Sequence, residues 1–215
     1  MRDSIVMAGR ADAVLAAVGG TLTDTERERA SRFVRERDRD DFVAAHLLVR
    51  QCAAALLGRP AEELTLIQYC DKHGPGHGRP SIAEVPELGV SLSHTAGYVC
   101  AVAGPGRVGV DAEHVPRGDV DRGLVEFTLS PAEFALIGHD KRRVIRQWVR
   151  KEALVKRGEL TIDDFPLTDL SDMDGEVDPS GSSGWRGRRL LEWTAGAVIG
   201  CAVTDHPAEL RRIDG

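Results

Sequence analysis

A repeat at an offset of about 100 residues constrains this chain more than any other feature in it. Val49-Arg50 precedes Gly58, and Val149-Arg150 precedes Gly158. Thr95-Ala96-Gly97 leads to Cys100-Ala101-Val102, while Thr194-Ala195-Gly196 leads to Cys201-Ala202-Val203. The two-residue insertion in the second copy keeps the parity of a strand, so the same faces stay buried. Ala-rich stretches can echo one another by chance. Two echoes at nearly one offset, in the same order of elements, favour an internal duplication. The expectation is an α+β fold built as a pseudo-two-fold pair of similar halves. They would span residues 1–105 and 106–215 and meet near Pro105, with the active site in the cleft between them.

The punctuation of the chain supports that order. Thr23-Asp24-Thr25-Glu26 is a helix start, with Thr23 as cap and Glu26 as its capping-box partner. A second helix is expected over Asp40–Leu57, ended by Gly58 and Pro60. Strands should follow at Leu64–Tyr69, Val90–Ser93, Tyr98–Val102 and Arg107–Glu113. In the second half, helices are expected over Asp119–Phe127, Pro131–Ile137 and Lys141–Lys156. Strands are expected at Phe165–Leu170, Arg188–Thr194 and Val198–Val203. The Ser-, Gly- and Asp-rich stretch Asp172–Gly187 has the composition of a hairpin loop.

Composition removes several classes. With 28 basic and 34 acidic residues the net charge is -6, the opposite of a general nucleic-acid binder. Arg142, Arg143, Arg146, Arg150 and Lys151 can still form a local basic patch or a solvated helix face. Cys52, Cys70, Cys100 and Cys201 make no C-x-x-C pair, and three of them sit in apolar runs as small hydrophobes. No segment is long enough to span a bilayer, and Val14–Val18 lacks a signal-peptide layout. A reducing cytoplasm is the expected setting.

Chemistry concentrates in two segments, Gly109-Val110-Asp111-Ala112-Glu113 and Trp148-Val149-Arg150-Lys151-Glu152-Ala153-Leu154-Val155-Lys156. Strand alternation puts Asp111 and Glu113 on one face. Helical spacing puts Trp148, Glu152 and Lys156 on one stripe. Each pattern has an ordinary reading: acids at the wet end of a strand, and a surface Glu–Lys pair worth ~0.2–0.5 kcal/mol. Trp148 argues that the stripe faces a cleft instead of bulk water. A buried Glu152 then needs a partner, and three carboxylates suit Mg²⁺ with phosphate completing its shell. Lys156 can neutralise charge on such a phosphate. Ser93-His94 is either a turn or a phosphate contact. Gly74-Pro75-Gly76-His77-Gly78-Arg79-Pro80 is either a surface loop or a carrier of Arg79 to a phosphate. No Walker-type P-loop, G-x-G-x-x-G fingerprint or G-x-S-x-G elbow is present.

The order S-L-S-H-T, G-V-D-A-E, W-V-R-K-E-A-L-V-K resembles the Sfp-type 4′-phosphopantetheinyl transferases. Asp111 and Lys151 stand 40 residues apart, Gly78-Arg79-Pro80 stands where that family has G-(K/R)-P, and the match covers most of the chain. The resemblance implies transfer of 4′-phosphopantetheine from coenzyme A to a serine of an apo acyl, peptidyl or aryl carrier protein. The by-product would be adenosine 3′,5′-bisphosphate. It makes Asp111, Glu113 and Glu152 the ligands of Mg²⁺, with Mn²⁺ as the alternative. It makes Glu152, Lys156 and His94 the catalytic groups, and Arg79, Ser93, His94, Lys151 and Lys156 the contacts to coenzyme A. Ala112 departs from the branched residue usual between the two acids. Asp40-Asp41-Phe42 puts acid where many relatives carry a base, leaving Arg29 and Arg50 as the N-terminal phosphate contacts. Val115–Leu136, with Val120, Leu124, Phe127 and Leu129, is the expected landing site for the carrier, with core packing as the alternative. Polyketide, nonribosomal-peptide and fatty-acid carriers are all open, and the internal pairing of halves favours a monomer. The competing readings are a Mg²⁺-dependent phosphohydrolase or nucleotidyl transferase, and a non-catalytic binder of coenzyme A or carriers.

Overall fold

Two central strands, β5 (Tyr98–Pro105) and β9 (Val198–Thr204), are buried on both faces almost throughout, so each must lie between two layers. The computed structural model describes residues 3–72, 74–173 and 183–213. Val99, Ala101 and Ala103 of β5 face the long helix α3, while Tyr98, Cys100 and Val102 face the second sheet. Ile199, Cys201 and Val203 of β9 face another long helix, α6, while Val198 and Ala202 face the first sheet. The result is four layers, helix on sheet on sheet on helix.

In chain order the elements begin β1 (Ser4–Arg10), α1 (Ala11–Ala17), α2 (Asp24–Ser31) and α3 (Glu36–Leu57). After them come β2 (Leu66–Cys70), β3 (Gly74–Ile82), β4 (Leu88–Thr95), β5 and β6 (Gly109–His114). The remainder is α4 (Arg122–Thr128), α5 (Pro131–Ile137), α6 (Lys141–Arg157), β7 (Ser183–Trp185), β8 (Arg188–Ala195), β9 and β10 (Ala208–Ile213). The first sheet has the order β10-β1-β5-β4, the second β6-β9-β8-β7, and β2-β3 is a separate hairpin. The α+β class is as expected. Thr23 and Glu26 close the capping box at the start of α2, and left-handed Gly58 and Gly158 end α3 and α6.

Several elements depart from the sequence reading. Phe165–Leu170 is not a strand: a 3₁₀ turn occupies Ile162–Leu167, where Pro166 cannot donate to a ladder. Gly74–Pro80 is not a loop but most of β3, which pairs with β2 across an irregularity at Gln68/Tyr69. The expected strand Arg107–Glu113 begins at Gly109. Strands β1 and β10 were not anticipated. They pair in parallel from Ser4↔Ala208 to Gly9↔Ile213, so the last strand of the chain completes the first sheet, across the boundary drawn at residue 105. Of the loop read over Asp172–Gly187, residues 174–182 lie outside the described residues.

Cys52, Cys100 and Cys201 are buried free thiols, and burial pushes Cys52 up to about 12. Among the described residues no helix is long and apolar enough to cross a membrane.

Candidate active site

The site begins with a missing side chain. A Cβ on Gly109 would run into the backbone carbonyl of Ala153 and the backbone of Arg157, so glycine lets α6 lie directly on β6. That contact carries the Glu152–Lys156 stripe over the face of β6 that displays Asp111 and Glu113. Trp148, one turn before Glu152, is part-buried against Phe165 and Phe127, with ring centroids 5.5 and 6.4 Å away. The stripe therefore leaves an aromatic cluster and enters a cleft, as its tryptophan suggested.

Lys156 does not spend its charge on a surface pair. Its Nζ donates to Asp111 Oδ1 at 2.7 Å and to Ser93 Oγ at 2.6 Å. Ser93 in turn donates to Asp111 Oδ1 at 2.7 Å. Glu113 Oε1 accepts from Thr95 Oγ1 at 2.6 Å and from the His114 amide at 2.7 Å. Glu152 is half-buried, and its carboxyl sits above the ordinary 4.5. Burial is the main cause. The Asp111 charge adds to it, Lys156 opposes it and Glu113 contributes the remainder. Three carboxylates thus feel one another around one ammonium.

His94 lies at the exposed end of β4. The protein packed about it lowers its pKa, while Asp41, Asp38 and Asp111 oppose that and Lys156 reinforces it. Arg79 reaches the end of α6, where its guanidinium occupies the space a side chain at Gly158 would need. It lines a cavity of about 370 Å³ together with Gln68, Ser91 and Lys156. Arg29 lines an adjoining cavity of about 220 Å³ with Gln68 and Gly76, and donates to Gln68 Oε1 at 3.1 Å. A larger cavity, about 960 Å³, lies elsewhere, against Arg10, Arg37, Gly97 and Gly196, and none of the three carboxylates lines it.

Lys151 is not available as the expected contact to coenzyme A. Its ammonium is fully buried, donating to Thr128 O at 2.8 Å, Phe165 O at 2.8 Å and Glu133 Oε2 at 2.6 Å. It points away from the cleft and ties α5 and the Ile162–Leu167 turn to α6. The basic patch dissolves for the same reason: Arg150 is buried against Glu192 and Met173 O. Arg50 is likewise buried on Glu26 and His46 O, so it is not a phosphate contact. Asp41 accepts from the Gly97 amide at 3.0 Å and pins the β4–β5 turn to α3, which accounts for the acid at that position. In the expected landing segment Val120 and Leu129 are buried with Val125, Ile137 and Val144 as a small core, while Phe127 remains 38% exposed.

Thr95 and Ser91 join this network without belonging to any of the sequence motifs. Their signal was present: Ser91, Ser93 and Thr95 alternate at period two, opposite the apolar Val90 and Leu92.

The donor chemistry fits a divalent cation. Asp111, Glu113 and Glu152 lie along the α6–β6 contact and offer hard carboxylate oxygens, the donor type such a cation prefers. The shell is not ready-made: among the described residues no three His, Cys, Asp or Glu side chains are gathered as a metal cluster. Asp111 Oδ1 and Glu113 Oε1 accept from hydroxyls of β4, which leaves the second oxygen of each carboxylate for a ligand.

Comparison with known proteins meets this geometry from the other side. Residues 11–106 match a family described as 4′-phosphopantetheinyl transferase, N-terminal. A 4′-phosphopantetheinyl transferase of Bacillus subtilis is 24% identical over 185 residues, covering 81% of this chain and 76% of that protein. The chain is therefore a transferase enzyme. Both comparisons give the 4′-phosphopantetheinyl transferases as what it is similar to.

Proposed function

We propose that this enzyme moves the 4′-phosphopantetheine group of coenzyme A onto a serine hydroxyl of an apo carrier protein, as the Sfp-type enzymes do. The observation that supports it most is the α6–β6 contact, which sets Lys156 on Asp111 and brings Glu152 within the influence of Asp111 and Glu113. Asp111, Glu113 and Glu152 would hold Mg²⁺, or Mn²⁺ in its place. A bound divalent ion supplies charge neutralisation at the pyrophosphate and orients it.

The residues of the chain do the rest by position and charge. Lys156 and His94 face the bridging phosphates, and Arg79, in the same cavity as Lys156, faces the adenosine end. The carrier serine oxygen attacks the phosphorus that bears the pantetheine arm. The bond from that phosphorus to the bridging oxygen breaks, and adenosine 3′,5′-bisphosphate leaves with the electron pair. The serine proton passes to the Glu152 carboxylate or to a water ordered beside it.

The same reading extends to the frame. The left-handed glycines ending α3 and α6, and the turns that follow β4 and β8, each recur 100 residues apart, which supports a duplicated pair of α+β halves. We take the enzyme to act as a cytoplasmic monomer on carriers of polyketide or nonribosomal-peptide synthesis.

Incubation with coenzyme A, Mg²⁺ and several apo carriers, read by intact-mass spectrometry, tests the proposal. The expected result is a carrier heavier by one phosphopantetheine group, lost in Glu152→Gln while affinity for coenzyme A is kept. Nucleotide hydrolysis with no gain in carrier mass would favour a phosphohydrolase instead.

A further inference from the structure

Strand β4 ends the first sheet and strand β6 ends the second, and the two edges lie side by side in contact. Neither has the other as its ladder partner. What joins them is a row of hydroxyls. The Val110 amide donates to Ser91 Oγ at 3.2 Å, Ser93 Oγ donates to Asp111 at 2.7 Å, and Thr95 Oγ1 donates to Glu113 at 2.6 Å. Ser91, Ser93 and Thr95 are all buried, on one face of β4, and meet successive positions of β6 in the same chain direction.

We infer that β4 is the positioning strand of the active site and that Thr95 is a positioning residue for Glu113. This rests on the reading of Asp111, Glu113 and Glu152 as metal ligands. Glu113 lies near the end of β6, where its side chain would otherwise sample several rotamers. Its two hydrogen bonds both fall on Oε1, from Thr95 and from the adjoining amide of His114. The amide belongs to the next residue in the chain and moves with β6. Among the described residues, only the Thr95 hydroxyl refers Glu113 to a different strand, and through it to the strand that carries His94. Fixing Oε1 leaves Oε2 for the metal and removes the ordering cost from the moment of binding. Asp111 has the same arrangement through Ser93, but Ser93 also touches Lys156, so Thr95 is the clean place to test the idea.

Outer hydrogen bonds of this kind typically change metal affinity by about 10–100-fold when removed. The test is Mn²⁺ binding to the full-length protein, followed by the electron paramagnetic resonance signal of the free ion, with no coenzyme A present. Thr95→Val keeps shape and burial but has no hydroxyl, and it should bind Mn²⁺ about tenfold more weakly than wild type. Thr95→Ser, which restores the hydroxyl and loses a methyl, should return affinity to near the wild-type value. The melting temperature should not follow that order, because the valine variant preserves the packing that the serine variant loses. Unchanged affinity in Thr95→Val overturns the inference and leaves the metal reading standing, as does a serine variant no better than the valine. Absence of Mn²⁺ binding to wild type overturns both.

Discussion

Replacing Lys151 by methionine keeps the aliphatic stem in place and removes the ammonium that makes three bonds inside the protein. Lys151 and Glu133 are both fully buried. Burial alone pulls the Lys151 pKa down, and the Glu133 carboxylate is the main group holding it up. The substitution leaves Glu133 without its cation, together with two backbone carbonyls, of Thr128 and Phe165, that lose their donor. Removing one member of a buried pair costs about 3–5 kcal/mol. Glu133 retains the amides of Ser130 at 2.7 Å and Leu170 at 3.0 Å, which places the loss near the lower end, at about 3 kcal/mol. For a chain of this size that is a fall of about 6–12 °C in melting temperature. Scanning calorimetry or a denaturant titration would measure it. Pairing Lys151→Met with Glu133→Gln should recover part of the loss, because the amide can still accept at the helix cap without carrying a charge. A variant that melts with wild type while its KM for coenzyme A rises would refute the reasoning, and would return Lys151 to the substrate.

Glu152→Gln should raise the melting temperature of metal-free protein at neutral pH. The folded-state pKa of Glu152 lies above its ordinary 4.5, so its carboxylate opposes folding above that raised pKa; the opposition fades as pH falls towards 4.5. The gain of the glutamine variant in melts with a chelator present should therefore shrink with acidification, and a gain independent of pH would contradict the assignment. Gly109→Ala should cost about 1–3 kcal/mol by forcing α6 off β6. Carrier labelling should fall with it, because Glu152 and Lys156 move away from Asp111; wild-type behaviour in both assays would remove the argument from close approach. Apo-carrier labelling and the Thr95 series test the site itself, through product mass and Mn²⁺ affinity.

Much of the frame was readable because its signals are local. A capping box, glycines at helix ends and strict alternation specify α2, α3, α6 and most strands with no knowledge of the neighbours. The misses are the elements whose identity is tertiary. Strand β10, with exposed positions between half-buried ones, becomes a strand by pairing with β1, about 200 residues away in sequence. Strand β3 holds three glycines and two prolines, a composition of loops, and is a strand because β2 lies beside it. In the opposite sense, Phe165 has a strand-former's side chain but is buried in a 3₁₀ turn whose carbonyl Lys151 requires.

The Lys151-Glu152 pair shows why residue types and spacing identify a site without assigning every member of it. Neighbours on a helix point about 100° apart, so one motif serves two surroundings. Glu152 and Lys156 share the stripe over β6. Lys151 turns to the other side, where α5 supplies Glu133 through the capping box of Ser130. Nothing in W-x-x-K-E-A-x-x-K distinguishes a lysine for phosphate from a lysine for a buried acid. The distinction lies in Glu133, 18 residues earlier, whose partner the sequence does not name. Lys151 holds the α5 segment and the Ile162–Leu167 turn against α6, off the stripe that Glu152 shares with Lys156. Variants of Lys151 that lose activity should do so in proportion to lost structure, with the KM of the folded fraction for coenzyme A unchanged.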